Sequence, residues 1–281
     1  MTSSSNNVFV KEQSDQSPII SKLSMFLYLK VGPYFLIGIL FLSWEAIARM
    51  HLIDPFLLPA LSNVLVRIGN DLFFGNLGFE VLLTLYRALT SFLLASIVGV
   101  GLGIGMSQVK LLKWFFDPIV SIGLPMPKIA LLPVFMIWFG LFDTSKIMLT
   151  AFSASFQIII TVWLAAGNIQ KELIWSARSL GAGEHQLPWE IILPAALPRI
   201  LTALQIALPI CLIVILITEF AMGGEGMGAK MLMASRHADS EGVFAGIIEI
   251  GFLGFVLIKS LELIRKKLLV WHHEETAQTL V

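Results

Sequence analysis

Residues able to do chemistry are few in this chain, and most of them stand in or beside apolar runs. Of 281 residues, 57% are hydrophobic and 14% charged, with a mean hydropathy of +0.84. An ionised side chain at the centre of a bilayer costs about 2.5–3.5 kcal/mol, so such a group is expected to face a cavity or a partner. Lys128 is the sharpest case, because Pro127 and Pro133 interrupt the apolar run around it. Irregular backbone at membrane depth is tolerated where it is buried in protein or lines a water-filled cavity. A fixed cation there would attract an anionic solute; the competing role is a lysine paired with an acid or with carbonyls that the prolines set free. Glu219, near the end of its apolar run, fits two roles: holding a neighbouring loop through hydrogen bonds, or lining a solute path. Ser153, Ser155 and Gln157, with Thr202 and Gln205, are weaker path candidates, since hydrogen bonds between helices explain them equally well. Glu45 and Arg49, four apart, suit an ion pair. Arg87 is placed to snorkel toward the membrane surface, and Glu249 is expected to pair with another helix.

Several chemistries are excluded. The formal net charge is zero, which gives no electrostatic case for a nucleic-acid partner. No GxxxxGK[ST] phosphate loop is present. Gly223, Gly224, Gly226 and Gly228 precede Lys230, but they lack the preceding strand of a nucleotide cradle and read as a flexible turn or a short gate. His272-His273 has no convergent partners, so no metal or catalytic site is expected. The single cysteine, Cys211, lies in an apolar run and reads as a small core residue.

These groups need an all-α membrane scaffold to position them. A hydrocarbon core about 30 Å thick takes about 20 helical residues. Six segments qualify, near 31–50, 81–106, 113–139, 146–166, 196–220 and 243–264; Pro125, Pro127 and Pro133 make the third the least regular. The domain organisation expected is a cytoplasmic tail over 1–30, a transmembrane domain over 31–265 and a cytoplasmic tail over 266–281. The Ser-rich start lacks the apolar core and cleavage site of a signal peptide and reads as disordered. With the N-terminus inside, the cytoplasmic segments carry Lys11, Lys22, Lys30, Lys110, Lys113, Lys171, Arg178, Arg265, Lys266 and Lys267, against Arg67, Lys146, Lys230 and Arg236 outside. That bias places both termini and the 167–195 loop in the cytoplasm. Gly99, Gly101, Gly103 and Gly105 make two overlapping GxxxG patterns, suited to close packing within the subunit or against a second one.

The 167–195 loop holds the most organised polar stretch, KELIWSARSLGAGEHQLPWEIILP over 171–194. Leu173, Ile174, Ala177 and Leu180 fall on one helical face, and Gly181 suits the left-handed residue that ends a helix. By physics alone this is a short amphipathic helix on the cytoplasmic surface, either a docking element or a simple interfacial anchor.

The stretch resembles the EAA loop of ABC importer permeases, in which Glu-Ala-Ala, three residues and Gly precede a hydrophobic residue and Leu-Pro. Here those positions read Trp175, Ser176, Ala177, then Gly181 and Ala182, then Ile192, Leu193 and Pro194. Trp175 replaces the acid and Ser176 the first alanine, which removes a polar contact but keeps the shape of the loop; Pro188 is placed to shorten the second coupling helix. Pro127-Lys128-Ile129-Ala130-Leu131-Leu132-Pro133 with Trp138-Phe139-Gly140 resembles the third span of permeases for sulfonate, taurine and nitrate. Thr218-Glu219-Phe220 with Gly226-Met227-Gly228 resembles the end of their fifth span.

The resemblance covers roughly residues 31–271 and implies the type I ABC importer permease fold in a bacterial inner membrane. It implies a second permease subunit, expected as a homodimer, two cytoplasmic ATPase subunits and a periplasmic or lipid-anchored binding protein. It makes Trp175, Ser176, Ala177, Arg178, Gly181, Ala182, Leu193 and Pro194 the ATPase-coupling residues, and leaves Lys128, Ser153, Gln157 and Glu219 as path candidates. ATP and Mg would be bound by the partner, so this chain is expected to be no enzyme and to bind no cofactor. The expected cargo is a small anionic solute, with sulfonates, taurine and nitrate leading and bicarbonate and thiamine-precursor pyrimidines as alternatives that the resemblance leaves open. The competing class is an ion-coupled carrier, which would need midplane carboxylates and an internal repeat.

Overall fold

A computed structural model describes residues 35–183 and 186–269, and every regular element among them is helical. The N-terminal tail expected over 1–30 lies outside the described residues, as do the start of the expected first span and residues 270–281.

The chain divides into two compact units, Met1–Asn63 and Val64–Val281. In the first unit, helix α1 covers 35–49. Its polar residues are satisfied locally. Arg49 Nε donates to Glu45 Oε1 at 2.5 Å, the pair expected from their spacing, and Glu45 Oε2 accepts from the Ser62 amide at 3.1 Å. Trp44 Nε1 donates to the Pro59 carbonyl at 3.0 Å.

The second unit takes in most of α2 (Leu61–Phe73) and continues with α3 (Leu77–Gln108), α4 (Lys110–Gly123), a 3₁₀ turn (Lys128–Leu131) and α5 (Leu132–Phe139). Next come α6 (Asp143–Gly167), α7 (Lys171–Ser179), a π-helical turn (Leu187–Ile192), α8 (Leu193–Met222), α9 (Met227–Arg236) and α10 (Ser240–Leu268). Helices α3, α6 and α10 and the continuous segment Leu187–Met222 are each long and apolar enough to cross a membrane.

The expected third span, 113–139, is not one rod. It is the pair α4 and 3₁₀–α5, bent by 98° where Pro125 and Pro127 forbid a continuous helix. The pair packs along α6 as a broken apolar segment. Lys113 lies 5.1 Å from the Trp163 ring, Gly123 abuts Phe156, Phe135 stacks 5.8 Å from Phe152, and Leu132 packs with Leu149. Four single helices and one bent pair are therefore observed where six spans are expected; only 35–49 of the first expected span is described.

Helix directions follow from facing residues. Gly99 opposes Ile158 and Gly103 opposes Val162, so α3 and α6 run the same way. A Cβ on either glycine would stand 2.6 or 2.8 Å from its neighbour's Cβ, so the first GxxxG pattern packs within the subunit. Gly101 faces open space and Gly105 approaches Leu112. Helix α8 runs opposite to both, and α10 opposite to α8, with Leu253 beside Leu212 and Arg265 Nη1 donating to Gln205 Oε1 at 2.8 Å. The contact between α3, α6 and α8 is built from small residues, among them Ala95, Ala154, Ala203, Ala207 and Cys211, each at most 1% exposed. Small side chains let the backbones approach, and close dispersion contact then holds helices that hydrophobic burial cannot hold in lipid.

Helix ends follow local chemistry. Asp239 caps α10 by accepting from the Gly242 amide at 2.9 Å, and Arg265, Lys266 and Lys267 fill its last turn, where cations oppose the negative end of the helix dipole. Helix α10 runs to Leu268, past the expected domain limit at 265.

Candidate functional site: two polar ends of one bundle

Helix directions bring the starts of α3 and α6 and the end of α8 together at one end of the bundle. A buried polar cluster forms there. Glu219 is 0% and Arg87 3% exposed. Arg87 Nη1 donates to Glu219 Oε1 at 2.6 Å and to the Glu225 carbonyl at 2.7 Å, while Nε and Nη2 reach Asp143 Oδ1 at 2.9 and 2.7 Å. Thr84 Oγ1 donates to Glu219, 3.1 and 3.0 Å from its two oxygens, and accepts from the Met227 amide at 2.9 Å. Glu219 Oε2 accepts from the Gly228 amide at 3.1 Å, and Glu80 accepts from the Gly226 amide. Lys146, 4% exposed, donates to the Gly223 carbonyl at 3.3 Å.

Among the described residues the Glu219 carboxylate is thus met by the donors Thr84, Arg87 and the Gly228 amide, and the glycine run is tied down rather than free. Gly223, Gly224 and Gly226 hold φ of +71°, +90° and +115°, a left-handed region that side chains resist. The flexible turn expected there is a strapped loop. Arg87 does not snorkel either: it turns inward to the buried Glu219 carboxylate on α8 and the half-exposed Asp143 carboxylate on α6. The sequence did hold a signal for this cluster. Glu80, Thr84 and Arg87 stand at i, i+4 and i+7, a polar stripe on one face at the start of an apolar helix. Asp143 and the backbone donors had no such signal.

A second ionic group lies nearby. Lys230 pairs with Asp71 at 2.8 Å and with Glu249 at 2.9 Å, and Arg67 bridges Asp71 and Asp239 at 3.1 and 3.0 Å. Glu249 accordingly finds its partner on another helix.

The path candidates are not gathered in one place. Lys128 donates to the Leu124 and Met126 carbonyls at 2.8 and 3.4 Å and lies 5.2 Å from the Phe156 ring. It thus donates to carbonyls at the bend. Ser153 donates to the Leu149 carbonyl at 2.7 Å, and half-buried Gln157 contacts Thr161 at 3.4 Å. Phe156 is thirteen residues along α6 from Asp143, about 20 Å at about 1.5 Å per residue, so Lys128 and Glu219 belong to different levels of the bundle.

At the opposite end, α7 closes in a complete Schellman turn. The Ala182 amide donates to the Ala177 carbonyl and the Gly181 amide to that of Arg178, both at 3.0 Å, with Gly181 at φ +91°. Only Ala177 of the expected apolar face is buried; Leu180 is past the helix end and 90% exposed. Trp175 and Trp189 are also exposed. Ser176, Arg178 and Pro194 are exposed as well, Leu193 is half-buried, and Gly181 has open space where a side chain would stand. After the turn the chain enters α8 through the π-helical turn that begins at Leu187-Pro188, with no break before Leu193-Pro194. A cavity of about 440 Å³ opens beside α7, lined by Asn168, Gln170, Leu173 and Arg199 among others.

Residues 95–270 match the family described as binding-protein-dependent transport system inner membrane component. The taurine transport system permease protein of Escherichia coli (strain K12) is 30% identical over 243 residues, covering 85% of this chain and 88% of that protein. The putative aliphatic sulfonates transport permease protein of Bacillus subtilis (strain 168) is 29% identical, covering 82% and 83%. The formylaminopyrimidine transport permease protein of Halalkalibacterium halodurans is 30% identical, covering 88% and 98%. Among solved structures, a chain of the MetNI methionine ABC transporter in an inward-facing conformation superposes with a TM-score of 0.55 at 22% identity, over 68% of this chain and 98% of that one, a likeness of fold. The chain belongs to the binding-protein-dependent transport system inner membrane component family, as a transmembrane permease subunit.

Proposed function

We propose that this subunit forms part of the translocation path of an ATP-driven importer for a small anionic solute, with taurine and aliphatic sulfonates as the leading cargo. The relatives named for taurine and sulfonates support that class, while the one named for formylaminopyrimidine keeps a neutral cargo in competition. Six crossings, with 31–50 as the first, put both termini and α7 in the cytoplasm and the Glu219 cluster outside. The lysine and arginine bias between loops supports this orientation. The partners are a second permease subunit, expected to be identical, two cytoplasmic ATPases that bind ATP and Mg, and a periplasmic or lipid-anchored binding protein.

The observation that carries the coupling role is the exposed apolar group around the Gly181 turn, Trp175, Leu180 and Trp189. Exposed aromatic residues on a rigid, capped helix are what a protein partner would bury. In this reading Trp175, Ser176, Ala177, Arg178, Gly181, Ala182, Leu193 and Pro194 transmit movement of the ATPase into α6 and α8. Glu219 holds the outer loop, Lys128 serves the bend, and Ser153 and Gln157 are the remaining path candidates. The ion-coupled carrier has no support from the relatives, and a carboxylate met by the donors Thr84, Arg87 and the Gly228 amide is poorly suited to carry a proton.

Co-purification with the ATPase encoded beside this chain tests the reading. Gly181→Val strains the left-handed turn without touching any neighbour, so the bundle should survive and the complex should be lost. An intact complex in the variant would remove the coupling role from this turn. No complex with the native chain would remove the importer itself. Ligand screening of the neighbouring binding protein against taurine, ethanesulfonate and nitrate then decides the cargo.

A further inference from the structure

Helix α9 begins without a side-chain cap of its own, because Gly226 stands where a capping residue would. The first N–H groups of a helix have no partner inside it and need one from elsewhere. Three consecutive donors here, the amides of Gly226, Met227 and Gly228, are all in buried residues. Each is taken by a different side chain on another helix: Glu80 and Thr84 of α3, and Glu219 of α8. Two of the three acceptors are carboxylates, which also oppose the positive end of the α9 dipole. The seat is tight as well as polar. An added Cβ on Gly226 would overlap the Glu219 carboxyl group, and one on Gly228 would overlap the Leu216 carbonyl. Met227, 2% exposed, packs with Leu77, Ala88, Ile215 and Leu253. Arg87 then joins the seat to α6 through Asp143, whose side chain is 43% exposed.

Helix α9 could not lift without breaking, all at once, three hydrogen bonds from its buried amides to side chains of α3 and α8. We infer that α9 and its glycine loop are a fixed stopper on the outer end of this subunit, and that Glu80, Thr84 and Glu219 are positioning residues that make α9 move as one body with α3 and α8. The inference rests on the importer reading above. It assigns outward opening to movement of the whole subunit end, against the second permease subunit, and not to a flap of residues 223–236.

A disulfide between α9 and α10 separates these cases. The Cβ of a residue placed at Gly246 would stand 3.6 Å from the Met231 Cβ, within the range that a disulfide spans. The double variant Met231→Cys, Gly246→Cys, with Cys211→Ala, is assembled with the ATPase and binding protein in liposomes and oxidised. The disulfide should form readily. Uptake of radiolabelled taurine and binding-protein-stimulated ATP hydrolysis should match the reduced protein. Loss of both on oxidation, with recovery on reduction, would show a lid and overturn the inference; failure of the pair to cross-link would show that α9 is not seated and overturn it equally. Thr84→Val, which removes two of the seat's hydrogen bonds, should slow cross-linking and raise hydrolysis severalfold in the absence of binding protein, with Thr84→Ser restoring both. Thr84→Val with normal cross-linking and normal dependence on binding protein would remove Thr84 from the seat. A native complex without stimulated hydrolysis would count against the importer reading alone, since cross-linking is read separately from transport.

Discussion

Glu219 and Gly226 are fitted to one another: the carboxyl group occupies the space that any side chain at 226 would need, and the backbone there is left-handed. Gly226→Ala should therefore lose more than the roughly 1 kcal/mol of a left-handed alanine, with packing strain of about 1–3 kcal/mol added. Gly224→Ala has open space at a similar φ and carries the backbone cost alone. Thermal denaturation in detergent should rank native above Gly224→Ala above Gly226→Ala; equal midpoints for the two variants would contradict the fit. Arg87 divides unequally between its carboxylates. Removing it as Arg87→Met leaves the fully buried Glu219 without its ion pair, a change that costs about 3–5 kcal/mol in comparable buried pairs. Asp143→Asn touches a half-exposed pair worth about 0–1 kcal/mol. The first variant should fail to accumulate in the membrane, and the second should be recovered at near-native yield.

At the level of elements, the α3–α6 contact depends on glycine at alternate positions only. Gly99→Val and Gly103→Val would drive a side chain into Ile158 or Val162 and should abolish a stable fold. Gly101→Ala meets nothing within the subunit, and in a helix it should be neutral or stabilising by about 0.5–1 kcal/mol. A variant that folds yet no longer pairs with its second copy on size-exclusion chromatography would instead mark Gly101 as a subunit contact. The bent pair has its own dependence. Lys128→Met strips a donor from the Leu124 and Met126 carbonyls, so stability should fall and Lys128→Arg should restore it. Loss of uptake at unchanged stability would return Lys128 to the role of an anion-attracting path residue.

On the scale of the molecule, the two polar ends are joined by α6 and α8, which run from the Asp143–Glu219 cluster to the approaches of α7. In the proposed reading, these two helices are the direct connection between the α7 turn and the α9 seat. Gly181→Val should therefore lose the ATPase while the Met231→Cys, Gly246→Cys pair still cross-links at the native rate. A changed cross-linking rate would show that the turn also shapes the outer end at rest.

Composition and apolar run length alone determined the helical membrane class, since a bilayer admits few other ways to satisfy a backbone. Glycine and proline positions told where α7 ends and where the apolar segment 113–139 breaks, because their constraints act on adjacent residues. The stripe Glu80, Thr84 and Arg87 was legible as a polar face but not as a seat. Only tertiary structure decided that it meets Glu219, which is 135 residues from Thr84 in sequence, and that it holds the backbone of the glycine loop. The same holds for the bend, which turns Lys128 onto local carbonyls, and for Arg87, which faces inward. Periodicity reports which face of a helix is polar; what that face meets depends on helix direction and register, and those are fixed by packing between distant segments.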